Sequence, residues 1–208
     1  MDIENFGKSQ KPVNSKYSAK GIVIAGLTGG AAIAISIFAY PFISPALRRV
    51  CLPYVPATNQ QIFNVFCALE GRRGTLIDIG SGDGRIVLAA AKRGFQAFGV
   101  ELNLWLVLYS RWIAWRNCLK SSATFFRCDL WKLDFRPYEN IVIFGVKEMM
   151  QELSKKFDNE LKNTYVVACR FPLPDKVPMK TIGSGIDKVW LYHYKVQGIK
   201  TNLKLSLK

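Results

Sequence analysis

Histidine is nearly absent: His193 is the only one in 208 residues. It lies far along the chain from the glycine-rich stretch discussed below, which argues against Ser-His-Asp chemistry and histidine-rich metal centres. Cysteine is sparse. Cys51, Cys67, Cys118, Cys128 and Cys169 are odd in number and contain no C-x-x-C pair. That argues for a reducing compartment and against a disulfide scaffold or zinc site, and no metal is expected. Acidic residues are in deficit, 15 against 29 lysines and arginines, for a formal net charge of +14. Such a surface suits anionic lipid, RNA or an acidic partner. No internal repeat or low-complexity tract is present.

Arginine is missing from residues 1–20, where Lys8, Lys11, Lys16 and Lys20 stand against Asp2 and Glu4. By composition this basic arm makes a poor transit peptide. Charge is missing altogether from the 23 residues GIVIAGLTGGAAIAISIFAYPFI, 21–43. About 20 apolar residues at 1.5 Å each cross a bilayer core. A retained transmembrane segment is expected, with a buried core helix as the alternative. The run begins too late for a simple signal peptide and shows no clear small-residue cleavage site. Gly26 and Gly30 form a G-x-x-x-G pair that can pack closely on another membrane helix. Arg48 and Arg49 flank the far end, so charge leaves the orientation open. With such a segment present, membrane lipid accounts for the basic surface without a further partner.

What the chain does have is IDIGSGDGR, 77–85. The apolar run 75–79 before it reads as a buried strand, and RIVLAAAKRGF after it as a helix that stops at Gly94. Gly80, Gly82 and Gly84 therefore occupy a strand-to-helix turn, where they let a ligand approach the backbone near free N–H groups. The spacing is G-x-G-x-G rather than the dinucleotide G-x-G-x-x-G. Asp78 and Asp83 beside the loop would repel a pyrophosphate and suit an ammonium and a sulfonium. A tight structural turn is the alternative.

A second strand, 95–100, ends in Glu101, placed to accept hydrogen bonds from both hydroxyls of a ribose. Asn103 can cap a helix with its apolar face on Leu106, Val107, Ser110, Ile113 and Ala114. A third strand, 123–127, brings Asp129 to the same rim. There it can bond an adenine amine or simply cap a turn, while Leu102 and Leu130 pack on the ring faces. Further along, 60–69 reads as a helix, 141–146 as a strand, 147–161 as an amphipathic helix and 165–169 as a strand. Residues 171–178 form a proline-rich loop, and 187–194 and 200–207 are candidate final strands.

These residues resemble the Rossmann-like, seven-strand S-adenosylmethionine-dependent methyltransferases, an α/β fold. The likeness narrows with LPYVPATNQQI (52–62), DIGSGDGRIVLAAAKRGF (78–95), VELN-x-WLV-x-YSR (100–111), DLWK (129–132), VIFGV (142–146) and CRFP (169–172). Together they resemble a small family of mitochondrial, membrane-tethered protein-lysine methyltransferases. One branch modifies the adenine nucleotide translocase and the other the ATP synthase c-subunit. The apolar N-terminal segment and LPYVPATNQQ are similar to the c-subunit branch. The resemblance implies S-adenosylmethionine as cofactor, held by Asp78, Gly80, Ser81, Gly82, Asp83, Gly84, Glu101, Leu102, Asp129 and Leu130. It implies a c-subunit lysine as substrate and a membrane-anchored mitochondrial enzyme. Leu104 departs from the family pattern, which has proline there to fix the first helical turn.

The expected organisation is a basic arm (1–20), a transmembrane segment (21–43), a linker (44–59) and a methyltransferase domain (60–208). Lysine must lose its proton to attack, against a free pKa of roughly 10.4. Asp134, Glu148 and Glu152 are available to position the amine, with a solvated helix face as the alternative for the two glutamates. No general base is named. The rival readings are the translocase as substrate, an RNA methyltransferase and a non-catalytic cofactor-sensing assembly factor. Against RNA, FGVKEMM stands where base-amine methyltransferases commonly carry an Asp/Asn-Pro-Pro-aromatic motif, and no nucleic-acid partner is expected.

Overall fold

The computed structural model describes residues 19–43 and 55–195. The basic arm up to residue 18, most of the linker with Cys51, and the candidate strand 200–207 lie outside the described residues. The chain divides into two units, Met1–Arg49 and Val50–Lys208.

In the first unit, α1 (Ala19–Ile43) is a helix whose only charged residue is Lys20. Its 25 residues make it about 37 Å long. From Lys20 to Ile37 every side chain is exposed, including Ile22, Ile24, Leu27, Ile33 and Ile35. A helix apolar on all sides has no solvated face. The Thr28 hydroxyl donates back to Ile24 O at 2.9 Å.

The second unit is a seven-stranded sheet. Its elements are α2 (Asn59–Ala68), β1 (Thr75–Ile79), α3 (Arg85–Lys92), β2 (Gln96–Glu101), α4 (Leu104–Arg116), β3 (Ala123–Arg127), β4 (Asn140–Phe144), α5 (Lys147–Glu160), β5 (Thr164–Cys169), β6 (Lys180–Ile182) and β7 (Val189–Tyr194). The strand order is β3-β2-β1-β4-β5-β7-β6. The first five strands are parallel, and β7 runs antiparallel to both β5 and β6. The chain reverses its direction across the sheet between β1 and β4, the place where ligands of open α/β sheets bind.

Alternation along the strands builds two cores. Leu76, Val142 and Val167 pack with Val65, Val87, Ala90 and Val107 of α2, α3 and α4. Ile77, Ile79, Ile141, Ile143 and Val166 pack with Met150, Leu153 and Phe157 of α5. Parallel strands buried on both faces read as continuous apolar runs, which is why TLIDI and NIVIF show no polar alternation.

The sixth strand was not expected, and it corrects the C-terminal reading. The segment 180–182 enters the sheet as edge strand β6, and its neighbour begins at Val189 rather than Asp187. Three mostly exposed residues carry no periodicity to read, and short edge strands protect a sheet against further pairing. Asp187 ends a 3-10 turn (Gly185–Asp187) instead, and its carboxylate accepts from the Thr58 hydroxyl at 2.5 Å.

Candidate functional site

β1 ends at Ile79 and α3 begins at Arg85, so the glycine loop occupies residues 80–84. Gly84 is required twice over. Its φ is +79°, and a Cβ there would lie 2.7 Å from the Phe125 ring and 2.8 Å from Ser110 Oγ. Gly80 is required by conformation alone, with φ +74° and only Phe144 O at 3.8 Å from where a Cβ would stand. The backbone at Gly80 is therefore open to a ligand.

The loop is fastened to the end of β2. The N–H groups of Gly80 and Ser81 donate to Val100 O at 2.9 and 3.0 Å. The Gly82 N–H donates to Glu101 Oε2 at 3.1 Å, and the Asn103 N–H to Glu101 Oε1 at 2.9 Å. Asn103 Oδ1 then accepts from the Trp105 N–H at 2.9 Å and caps α4. Ser110, on the buried face of that helix, donates to Gly82 O at 3.2 Å. Glu101 thus joins loop, strand and helix, and each of its oxygens keeps a lone pair for a ligand.

Asp78 is the outstanding group. It is 2 % exposed, and its Oδ1 is buried with no partner among the described residues. Burial, then the negative charges of Glu101 and Asp83, push its pKa up to about 8. The nearby Ser81 hydroxyl is also buried and unpartnered. Buried polar groups without partners are uncommon and call for an explanation.

Asp83 is turned to Arg85, whose Nε donates to both carboxylate oxygens at 3.0 Å and whose Nη1 donates to Ala57 O at 2.5 Å. Asp129 stands at the rim and caps a 3-10 turn (Leu130–Lys132), accepting from the Trp131 N–H at 3.1 Å through Oδ1. Leu102 is exposed, and Leu130 is half-buried against the α5-side core. Asp134 is held by Arg136 at 2.8 Å, and hydrogen bonds from Arg136 lower its pKa. Glu148 and Glu152 lie on the exposed side of α5.

Arg170 was not read from the sequence as a site residue. It follows β5 at the same end of the sheet as Gly80 and Glu101, with φ +69° and a buried Nε that has no partner among the described residues. Its only sequence signal is its place at a strand end, which says nothing of that strain. His193 sits in β7, stacked on Tyr165 at 4.1 Å and within 3.0 Å of Asn163 Oδ1. A shallow groove beside the loop is lined by Asn59, Ile62, Asp83, Arg85, Tyr109 and Ile113. A second concavity, around Gly74, Gln96 and Glu139, lies at the opposite end of the strands. Among the described residues no cluster of three His, Cys, Asp or Glu side chains could hold a metal.

Comparison with known proteins agrees with this architecture. Residues 78–180 match the family model of the ANTKMT methyltransferase domain. Residues 14–48 match the model of the N-terminal domain of ATP synthase c-subunit lysine N-methyltransferases. The ATP synthase c-subunit lysine N-methyltransferase of Homo sapiens is 56% identical over 182 residues, covering 86% of this chain and 78% of its own. The Mus musculus enzyme of the same name is 55% identical, covering 88% and 75%. The adenine nucleotide translocase lysine N-methyltransferase of Mus musculus is 41% identical, covering 92% and 86%. Among solved structures, an RNA methyltransferase from Salinibacter ruber superposes with a TM-score of 0.65 at 24% identity, covering 72% of this chain and 99% of its own. That likeness concerns the fold. At such identities over most of both sequences, the chain belongs to the ATP synthase c-subunit lysine N-methyltransferase family and is a methyltransferase of the seven-strand type.

Proposed function

We propose that this chain transfers a methyl group from S-adenosylmethionine to a lysine of the ATP synthase c-subunit. The observation that carries the reading is the buried Asp78 carboxyl, whose Oδ1 has no partner among the described residues, beside an open glycine loop clamped by Glu101. The residues fit the cofactor. Asp78 offers a carboxyl to a cationic group, and the free lone pairs of Glu101 suit two ribose hydroxyls. The second oxygen of Asp129 suits an exocyclic amine, and Leu102 and Leu130 offer apolar surface. When bound, S-adenosylmethionine supplies a methyl made electrophilic by its sulfonium.

The protein's own work is to bring a lysine amine into line and relieve it of its proton. Free lysine has a pKa of roughly 10.4, so desolvation and a nearby positive charge must depress it. Asp134 is held by Arg136, which leaves Glu148 and Glu152 as the acceptors on α5 able to orient the amine. The substrate assignment rests on the names of the relatives: those at 55–56% identity act on the c-subunit, and the one at 41% on the translocase. We place the enzyme in a mitochondrial membrane, with α1 as its anchor. An uncharged stretch of spanning length whose residues 21–37 are all exposed supports the anchor, and carbonate extraction of organelles tests it: a soluble full-length protein would exclude an anchor.

Mass spectrometry of both candidate substrates in cells lacking this chain tests the function. Loss of lysine methylation on the c-subunit alone is expected. Loss on the translocase alone would reassign the substrate while keeping the enzyme class. Unchanged methylation on both would refute the reading.

A further inference from the structure

Helix α4 has two apolar faces. Val107, Ser110 and Ala114 are buried against the sheet. On the outside, Leu104, Leu108, Tyr109, Trp112 and Trp115 are all exposed, Trp112 by 47% and Trp115 by 65%. A helix apolar on every side belongs in a protein interior or in lipid, and contiguous exposed apolar surface marks an interaction site. Here the aromatic surface is ordered. Tyr109 and Trp112 lie 6.1 Å apart, and the Arg116 guanidinium stands 4.9 Å over the Trp112 ring.

Charge points to the occupant. Residues 104–120 contain Arg111, Arg116 and Lys120 and no acidic residue. Arg111 is fixed by its Nε and Nη2 donating to Phe125 O at 3.1 and 2.7 Å. Tryptophan and tyrosine gather at the headgroup level of bilayers, and basic residues beside them attract anionic lipid. The same chain carries α1, uncharged beyond Lys20 and apolar on all sides. Only eleven residues, 44–54, separate Ile43 from Val55, a tether of at most about 40 Å.

We infer that the outer face of α4 is an interfacial docking surface for an anionic phospholipid bilayer. Trp112 and Trp115 sit at the boundary of headgroups and acyl chains, and Arg116 and Lys120 engage lipid phosphates. The inference does not rest on the methyl-transfer reading. It gives the methyltransferase unit a pose on the bilayer as well as a tether, because Asn103, which caps α4, is bonded to Glu101.

The test uses the full chain reconstituted into phosphatidylcholine vesicles with or without phosphatidylglycerol. None of the five tryptophans (Trp105, Trp112, Trp115, Trp131, Trp190) lies in α1, so insertion of α1 by itself adds no tryptophan signal. Tryptophan emission should be quenched by lipids brominated in the upper acyl chain and protected from aqueous acrylamide, more so with phosphatidylglycerol. The variant Trp112→Phe/Trp115→Phe should lose most of the bromolipid quenching while its remaining indoles report an intact fold. Arg116→Gln/Lys120→Gln should weaken docking by about fivefold per charge and respond to phosphatidylglycerol far less than the wild type. Three results overturn the inference. The first is bromolipid quenching that the tryptophan variant retains. The second is acrylamide protection that arises only when the c-subunit is added, which would make the face a protein dock. The third is protection in detergent and in every lipid without bromolipid quenching, which would mean that the chain covers the face itself.

Discussion

Asp78 sets up a conflict between stability and binding that can be measured. Its ordinary pKa is 3.8, and burial with the charges of Glu101 and Asp83 raises it to about 8 in the fold. Between those values the folded protein holds a proton that the unfolded chain has released. Stability is therefore greatest below the unfolded pKa and falls as pH rises, by about 1.4 kcal/mol per unit, until it levels above pH 8. At pH 7 the accumulated cost is about 4 kcal/mol, a large part of a typical domain's stability. Asp78→Asn keeps the volume and removes the ionisation. Its amide has the same unpartnered setting as the protonated carboxyl, a cost of about 1–3 kcal/mol that the two share at any pH, so the variant matches the wild type at low pH and is about 4 kcal/mol more stable near neutrality.

The assay is urea denaturation of the full-length chain in mild detergent from pH 5 to 9, wild type beside variant. Titrating groups remote from Asp78 are common to both and cancel in the difference, which leaves Asp78 and the groups coupled to it, Glu101, Asp83 and Cys169. The gap should open in favour of the variant by about 1.4 kcal/mol per unit up to pH 8 and then stay flat. Adding S-adenosylhomocysteine should stabilise the wild type by mass action and barely touch the variant. A gap independent of pH would refute the protonated resting state of Asp78, and a gap that widens the other way would mean that the fold stabilises the carboxylate.

Other outcomes follow from the same geometry. Glu101→Ala removes the acceptor of two backbone N–H groups, each charged bond worth about 1.5–3 kcal/mol, so calorimetry should find cofactor affinity at least tenfold weaker and thermal unfolding earlier. Gly84→Ala drives a methyl to 2.7 Å from the Phe125 ring at positive φ, and chemical denaturation should show a loss of about 2 kcal/mol or more. Arg170→Gly relieves the φ of +69°, so stability should rise by about 1 kcal/mol while methylation rate falls; a variant that loses stability would show the guanidinium to be a packing element.

Much of the rim around the glycine loop was legible in the sequence because glycine loops and strand-end acids obey local rules. The turn at 80–84, the strand 123–127 and the Asn103 cap follow from glycine φ preference, β-branched runs and capping chemistry. Asp83 was less legible. Its carboxylate reaches Arg85 two residues on, and nothing in D-G-R says whether the aspartate faces a ligand or its neighbour. β6 escaped because it is only three residues long, too short to show a period, although its partner β7 is the next strand in the chain. Arg170 and the outer face of α4 escaped for a different reason. Strain is a property of backbone angles, and LWLVLYSRWIAWR reads the same whether one face is covered or both.

The raised pKa of Asp78 also bears on how an acidic rim can serve an enzyme that must keep lysine neutral. Three carboxylates cluster at the loop, and a permanent charge of −3 there would hold a nearby ammonium in its charged, unreactive form. The fold lowers that charge in two ways. Arg85 compensates Asp83 through a bidentate pair, and burial leaves Asp78 mostly protonated at pH 7. Only Glu101 is left, its oxygens partly occupied by backbone N–H groups. An ionised Asp78 then becomes favourable only when a cation lies beside it, so its negative charge appears together with the positive charge that cancels it. A salt-bridged, permanently ionised aspartate at that position would bind a cation as well, yet would leave the unliganded rim charged. Burial without a partner costs the resting protein stability and gives a rim whose net charge stays near −1 rather than −3 in both states, so that less negative charge opposes the desolvation that depresses the pKa of an incoming lysine.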